Sequence, residues 1–323
     1  MEAQRAPLRV AEVFGLSPIG TRLREALLAF RGDGHTPPTR FDHTSLRIFR
    51  PRMALPLWVG RAAHGRLVPI YNLFNRAERP RPEEGWSVRV TNARDFLGTQ
   101  LTYDSHNGTD FAVPVGTVVL AAAAGTVLRV SREFDRGGLK VFIDHGDGLV
   151  TTSNHLGRAF VRVGQRVRRG EPIALSAYSG LDGLSTFPFG APHVHYNVWL
   201  NGEYVDPFGL GDTIPLWRNG NWPIPLRGVG VDDAPPTRWD HDAVARTLDA
   251  CTHAGAREDI TSGESPEARA MNALFQTLYY PTRFTARPCL YAERTPRTPR
   301  LDLPFRAEDF DGIWFPHGVE PPR

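Results

Sequence analysis

Two clusters near the middle of the chain have the residue types and spacing to hold a metal ion. The first is His106-Asn107-Gly108-Thr109-Asp110. A neutral imidazole nitrogen and a carboxylate oxygen are both suitable zinc ligands. Four residues apart, they can share one helical face. Gly108 and the strand-like residues from Phe111 argue instead for a loop entering a strand. In either case both side chains can converge on one point. The second cluster is His193-Val194-His195, at the start of an apolar run. Alternate residues of a strand point to one face, so both imidazoles face one side and Val194 the other. One of them can bind a metal while its neighbour faces a substrate. A third histidine, His155, follows the strand-like LVTTSN.

Three protein ligands leave a fourth tetrahedral position for water, which is the catalytic pattern and not the structural one. Zinc brings the pKa of such a water to about 7 and polarises a carbonyl, and further histidines can move a proton or stabilise an oxyanion. Taken alone, an HxH is also what two half-buried histidines on a strand look like, and an HxxxD is weaker still. Both motifs in one β region, with His155 between them, point to metal-dependent hydrolysis.

The elements that must position these residues run from about 87 to 208. The runs SVRVTN, TVVLAAAA, GTVLRVSR, LKVFIDH, LVTTSN, PIALSA and VHYNVWL follow one another at short spacing. Asp147-Gly148 and Asn201-Gly202 supply the positive φ of tight hairpins. Many short strands with such turns predict an antiparallel sheet. Before this region, residues 8–31 read as helical, with Val10, Val13, Phe14, Leu23, Leu27 and Leu28 recurring at roughly helical spacing and Gly32 as the stop. Residues 33–85 are irregular, and the Arg79-Pro80-Arg81-Pro82 run reads as a linker. After 208 the chain is proline- and tryptophan-bearing, then helical. Val244, Leu248 and Cys251 share a face ending at Gly255. Ser265-Pro266 opens a second helix with Met271, Leu274, Phe275 and Leu278 buried. The tail from 281 is irregular. The expected organisation is 1–86 (helical and irregular), 87–208 (the β domain) and 209–323 (a Pro-rich and helical extension).

The stretch 103–207, about a third of the chain, resembles the lysostaphin/LytM family of zinc metallopeptidases. HNGTDFAVPVGT at 106–117 is similar to that family's first motif, and AAAAGTV at 121–127 to its continuation. IDHGDGLVTTSNHLG at 143–157 resembles the segment ending in the central catalytic histidine. VGQRVRRGEPIA at 163–174 resembles a glycine-marked hairpin, and PHVHYNVWLNGEYVDP at 192–207 the closing HxH strand and hairpin. The resemblance implies His106, Asp110 and His195 as ligands of Zn2+, and His155 and His193 as the catalytic pair. It implies a mainly β fold, a small antiparallel metallopeptidase core with a groove. It also implies an endopeptidase acting on the stem peptides or cross-bridges of peptidoglycan, and hence a cell-envelope or secreted location. Ser153 stands where many members have an aromatic residue. The segment 179–192, with Phe187 and Phe189, is longer than the usual approach to HxH, which leaves the specificity of the groove open. Asn72, Asn75 and Asn92 are candidates to plug the groove, as latent members of such families do.

Rival readings are a non-catalytic binding or activator member, a carrier-type β domain, and a peptidase with another target such as a carboxypeptidase. A carrier domain needs a modified lysine at a tight turn. Lys140, the only lysine, lies in no such turn. The presence of all five polar residues argues against the non-catalytic reading. Composition is that of a folded chain of 323 residues, 41% apolar and 23% charged, with net charge +3. The arginine-dominated positive charge fits codon bias or an anionic partner such as a wall polymer. No basic stripe interleaved with aromatics marks nucleic-acid binding. No run approaches a membrane span, and the N-terminus has no secretory h-region, so an export route is left open. Cys251 and Cys289 are either bridged or two free thiols. His145 reads as a turn residue. His35, His43, His64, His241, His253 and His317 are expected to lie outside the site.

Overall fold

The computed structural model describes residues 7–228 and 235–316; His317 lies outside them. Helices α1 (Val10–Phe14), α2 (Ile19–Arg31) and α3 (Pro51–Trp58) come first. The strands are β1 (Leu67–Asn72), β2 (Thr109–Ala112), β3 (Val118–Leu120), β4 (Gly125–Glu133), β5 (Gly138–Asp144), β6 (Leu149–Ala159), β7 (Arg166–Val167) and β8 (Pro172–Ser176). A short helix α4 (Leu181–Thr186) precedes β9 (His193–Leu200) and β10 (Glu203–Val205). Helices α5 (His241–Asp249), α6 (Ala254–Thr261) and α7 (Pro266–Tyr279) follow, then β11 (Gly312–Trp314).

The strands pair in the order β11-β1-β2-β9-β6-β5-β4-β7, with β10 on β9 and β8 joining β3 to β6. Every pairing is antiparallel except that of β1 with β11. The two predicted tight turns are present. Asp147 and Gly148 have φ of 52° and 66°, and Asn201 and Gly202 have 53° and 84°.

Alternation along β9 separates the two faces of the sheet. Val194, Tyr196, Val198 and Leu200 enter one apolar cluster, which also takes Phe111 and the tail residues Leu301, Leu303, Phe305 and Ile313. His193, His195, Asn197 and Trp199 point to the opposite face. There Trp199, Phe142 and Leu128 meet Met271, Leu274 and Phe275 of α7. Each such buried apolar side chain contributes about 1.5–3 kcal/mol. Arg129 on β4 adds a polar tie by donating to Asp259 and Asn272. Ser265 caps α7 as expected, its Oγ accepting from the Ala268 amide at 3.1 Å, with Pro266 at the first helical position.

Several local expectations fail. SVRVTN forms no strand; only Ser87 makes a bridge, to Arg40. Its backbone instead ties loops together, through Val88 to Arg40 and Asp104 to Arg89. Residues 8–31 form two helices broken at Gly15 and Pro18. Of the residues at helical spacing, Val10, Leu23 and Leu27 are more than half exposed. Gly255 does not end a helix but lies in the first turn of α6. Both thiols are free. No helix among the described residues is long and apolar enough to cross a membrane.

Candidate metal centre

The centre is assembled by cross-strand register. Asp110 on β2 sits opposite His195 on β9, Ala112 opposite His193, Asn154 on β6 opposite His195 on its other side, and Asn72 on β1 opposite Asp110. Four strands thus present Asn72, Asp110, His195 and Asn154 in one row. Asn72 reaches this face because the pairing shifts between Ile70 and Asn72; without that irregularity it would share the core face of Ile70. His106 lies in the loop entering β2, so the loop reading holds and the helical one does not. Gly108 lets that loop pass His195. A Cβ there would come within 2.7 Å of the Tyr196 carbonyl and 2.9 Å of His195 Nε2.

His106 Nε2, Asp110 Oδ1 and His195 Nδ1 converge. The spacings are 3.1 Å from His106 to Asp110, 2.7 Å from His195 to Asp110, and 3.2 Å between the imidazoles. Among the described residues this is the group of His, Cys and carboxylate side chains that could hold a metal ion. Its outer hydrogen bonds suit that purpose. His106 Nδ1–H donates to the Leu73 carbonyl at 2.5 Å, which leaves a bare Nε2 facing the carboxylate. Two acceptors at that distance call for a cation between them. A tetrahedral shell with ligands at about 2.1 Å has edges of about 3.4 Å, so the three atoms need only small outward movements. Asp110 Oδ2 accepts from Asn72 Nδ2 at 2.7 Å, which orients the carboxylate. Asn75 braces the loop before His106, donating to the Asp104 carbonyl.

His193 and His155 stand beside this triad. His193 Nε2 is 3.6 Å from Asp110 Oδ1, and its Nδ1–H donates to the Ala191 carbonyl. The rings of His155 and His193 are 4.7 Å apart. In a regular strand His155 would point away from the face that Asn154 occupies. Its backbone is left-handed, with φ of 60°, which turns it onto that face. Such a conformation is uncommon outside glycine, and it clusters at functional sites. His155 Nδ1–H then donates to the Ser179 carbonyl at 2.8 Å, leaving Nε2 free.

Burial raises the Asp110 pKa, but the charges of His106, His193 and His195 outweigh it and hold the carboxyl well below its usual range. Burial, reinforced by His193 and His195, pushes His155 well below the usual imidazole value. Burial also lowers His195, against the pull of Asp110. An ionised Asp110, and a His195 that burial biases toward its neutral form, are what a divalent cation needs of those two ligands.

A groove of about 320 Å³ opens over His155 and His195. Its opposite wall carries Phe30, Phe41, Leu46 and Phe49 from the N-terminal region, and Asp182, Ser185 and Thr186 of α4 border it. Of the two phenylalanines expected there, Phe187 packs on Phe14 and Trp58, and Phe189 on Phe49. Neither lines this groove. Among the other histidines, His145 bridges the Ala124 carbonyl and Thr151, His64 stacks on Trp314, and His35 meets His253. Asn92 makes no described contact with the centre.

Residues 104–207 match the profile of Peptidase family M23. These residues form a peptidase family M23 domain. Over 102 residues the chain is 42% identical to an uncharacterized metalloprotease of Haemophilus influenzae, covering 32% of this chain and 20% of that protein. It is 38% identical over 111 residues to the peptidoglycan DD-endopeptidase ShyA of Vibrio cholerae, covering 34% and 24% respectively. To the DD-carboxypeptidase/endopeptidase Mpg of Neisseria meningitidis it is 36% identical over 114 residues, covering 35% and 24%. The chain thus spans only a fifth to a quarter of these relatives. Among solved structures, the catalytic domain of lysostaphin from Staphylococcus simulans is 28% identical, with a TM-score of 0.28, covering 32% of this chain and 77% of that one.

Two further groups at the M23 domain's centre escape sequence reasoning. Asn197, two residues past His195, lies 2.9 Å from His195 Nε2 through its Nδ2. Its Oδ1 accepts from Thr152, Asn154 and Tyr279, the last at 3.2 Å. The strand periodicity of HVHYN places Asn197 on the imidazole face and could have found it. Nothing local signals Tyr279, which arrives from α7.

Proposed function

We propose that the chain is a zinc-dependent endopeptidase that hydrolyses peptide bonds in peptidoglycan stem peptides or cross-bridges. The observation that carries this is the convergence of His106 Nε2, Asp110 Oδ1 and His195 Nδ1 beside two further imidazoles at a groove. The three converging side chains would hold zinc, which when bound supplies Lewis acidity and a water of pKa about 7.

The chain's own residues do the rest. In the structure His195 Nδ1–H faces Asp110. For Nδ1 to serve as a ligand the proton must reside on Nε2, where Asn107 Oδ1 lies 3.3 Å away to accept it, and Asn197 Nδ2, 2.9 Å from Nε2, must then spend its hydrogens on Asn107 O and Oδ1. His155, fixed through Nδ1 on Ser179, offers a neutral Nε2 to take a proton from the attacking water and return it to the leaving amine. His193, fixed through Nδ1 on the Ala191 carbonyl, stabilises the oxygen that gains charge by donating from Nε2, which requires the imidazolium form with both nitrogens protonated. The apolar wall of Phe30, Phe41 and Phe49 excludes water from a bound peptide. The activities named for the DD-endopeptidase relatives support the choice of peptidoglycan, and the likeness covers the M23 domain.

The test is digestion of purified peptidoglycans of known cross-link chemistry, with products identified by mass, alongside zinc analysis of the wild type, Asp110→Ala and His195→Ala. Stoichiometric zinc and new amine termini in the wild type, both lost in the variants, support the reading. Full zinc and full activity in the variants would sink the ligand assignment. Zinc without hydrolysis of any wall type would indicate a binding protein instead.

A further inference from the structure

Arg50 stands just before α3 and is tied to the segment ahead of HxH, its backbone N–H donating to the Phe189 carbonyl at 2.9 Å. Its guanidinium carbon lies 5.0 Å from the centroid of the Tyr71 ring. That ring is itself 5.1 Å from the ring of His193. Tyr71 is buried on the site face with Ala54, Leu57, Ala112 and Ala191, and its hydroxyl donates to the Ile48 carbonyl. The platform under Arg50 is therefore fixed.

The guanidinium is half-buried and makes no side-chain hydrogen bond or ion pair among the described residues. Arg76, Arg129 and Arg169 are matched by the carboxylates of Asp206, Asp259 and Asp302, and Arg283 and Arg79, which have no carboxylate, donate to Thr36, Gln276 and the Asn75 carbonyl. Burial lowers the pKa of Arg50, and Tyr71 and Asp110 act against that. It remains charged, because arginine does not lose its proton in proteins. The nearest acidic group to feel it, Asp110, is already engaged by three histidines and Asn72. A cation-loaded centre would leave the surroundings of Arg50, Tyr71 and His193 with excess positive charge, which an anionic ligand would neutralise.

We propose that Arg50 anchors a carboxylate of the substrate peptide beside the metal centre. The planar fork of a guanidinium matches a carboxylate through two parallel N–H···O bonds. Stacking on Tyr71 pre-orients that fork, and partial burial strengthens the interaction relative to water. This deepens the peptidase reading and rests on it, since it assigns the groove a substrate that carries a free carboxylate next to the cleaved bond. Two groups share that chemistry: the terminal carboxylate of a stem peptide and the side-chain carboxylate of a diamino diacid within it.

The experiment compares wild type, Arg50→Gln and Arg50→Lys, all loaded with zinc. The substrates are stem pentapeptides with a terminal carboxylate or amide, and with lysine or a diamino diacid at the third position. For the carboxylate that is anchored, the wild type should show at least a tenfold advantage in kcat/KM over its uncharged counterpart, lying in KM. That ratio should fall toward one in Arg50→Gln and recover only partly in Arg50→Lys. Whichever pair shows the ratio identifies the carboxylate. Calorimetric binding of the same peptides to zinc-free protein gives a second reading that does not need turnover. If the wild type cuts nothing, the peptidase reading falls. A carboxylate preference in binding that Arg50→Gln abolishes would still support the anchor. Equal ratios in wild type and Arg50→Gln, in both turnover and binding, overturn it.

Discussion

Tyr279, the last residue of α7, donates its hydroxyl to Asn197 Oδ1 at 3.2 Å, and Asn197 contacts the imidazole of His195. A helix some 80 residues downstream thus completes the polar shell of a candidate metal ligand. Asn154 also reaches this point, its amide donating to Asn197 and to the Tyr279 hydroxyl. Partners one step removed from a metal commonly change affinity 10- to 100-fold when lost. Tyr279 acts through Asn197, so Tyr279→Phe should weaken zinc binding by up to about tenfold. The ring still packs on Phe275, and the melting temperature should barely move. Chelator competition measures the first, thermal unfolding the second. Unchanged zinc affinity would show that the helix merely covers the sheet.

Asn72 makes the shortest hydrogen bond to Asp110 Oδ2. Removing it with Asn72→Leu leaves that oxygen buried and unsatisfied. Such a loss costs about 1–3 kcal/mol, more for a charged group. Zinc affinity should fall about 10- to 100-fold, while Asn72→Asp should be worse, because it sets a second carboxylate against the first. Zinc titration of the three proteins orders them.

How much of this is legible in sequence depends on the range of each contact. That His106 and Asp110 can meet one histidine of HxH is legible, because strand alternation fixes which face HxH presents; the choice of His195 over His193 comes from the family resemblance and not from the spacing. Asn72 and Tyr279 are not, because their partners lie 38 and 82 residues away and only the strand register and the docking of α7 bring them in. The apolar spacing of α2 is visible, but periodicity cannot say whether anything covers the face. SVRVTN alternates like a strand, yet its backbone groups are spent on Arg40 and Asp104 and not on a ladder. The three-residue β11 hides in a proline-bearing tail because its partner, β1, lies some 240 residues earlier.

Gly108 is the residue whose size sets the approach of the ligand loop to β9. Gly108→Ala would push a methyl group against the Tyr196 carbonyl and the His195 ring at under 3 Å, and backbone cannot yield as a flexible side-chain tip can. Overpacking of this kind costs about 1–3 kcal/mol. The displaced His106 and Asp110 should lose the common point they share with His195. The expected outcome is a folded protein with zinc affinity down by more than tenfold. Circular dichroism and metal titration on one sample check both halves.

The depressed His155 and His195 pKa values make a prediction about the metal-free protein. Each imidazole titrates near its ordinary value of 6.5 in the unfolded chain but well below or below it when folded. Between those values the unfolded state binds more protons than the folded one, so stability rises with pH and is lost as pH falls below about 6.5. The slope is at most about 1.4 kcal/mol per pH unit for each group. Urea midpoints of the metal-free protein should therefore drop between pH 7.5 and 5.5. His155→Gln should flatten that drop, because a glutamine takes up no proton in either state. A slope that is the same with and without His155 would mean that this imidazole is protonated in the folded protein, and with it would go the neutral Nε2 that the proposed proton transfer needs.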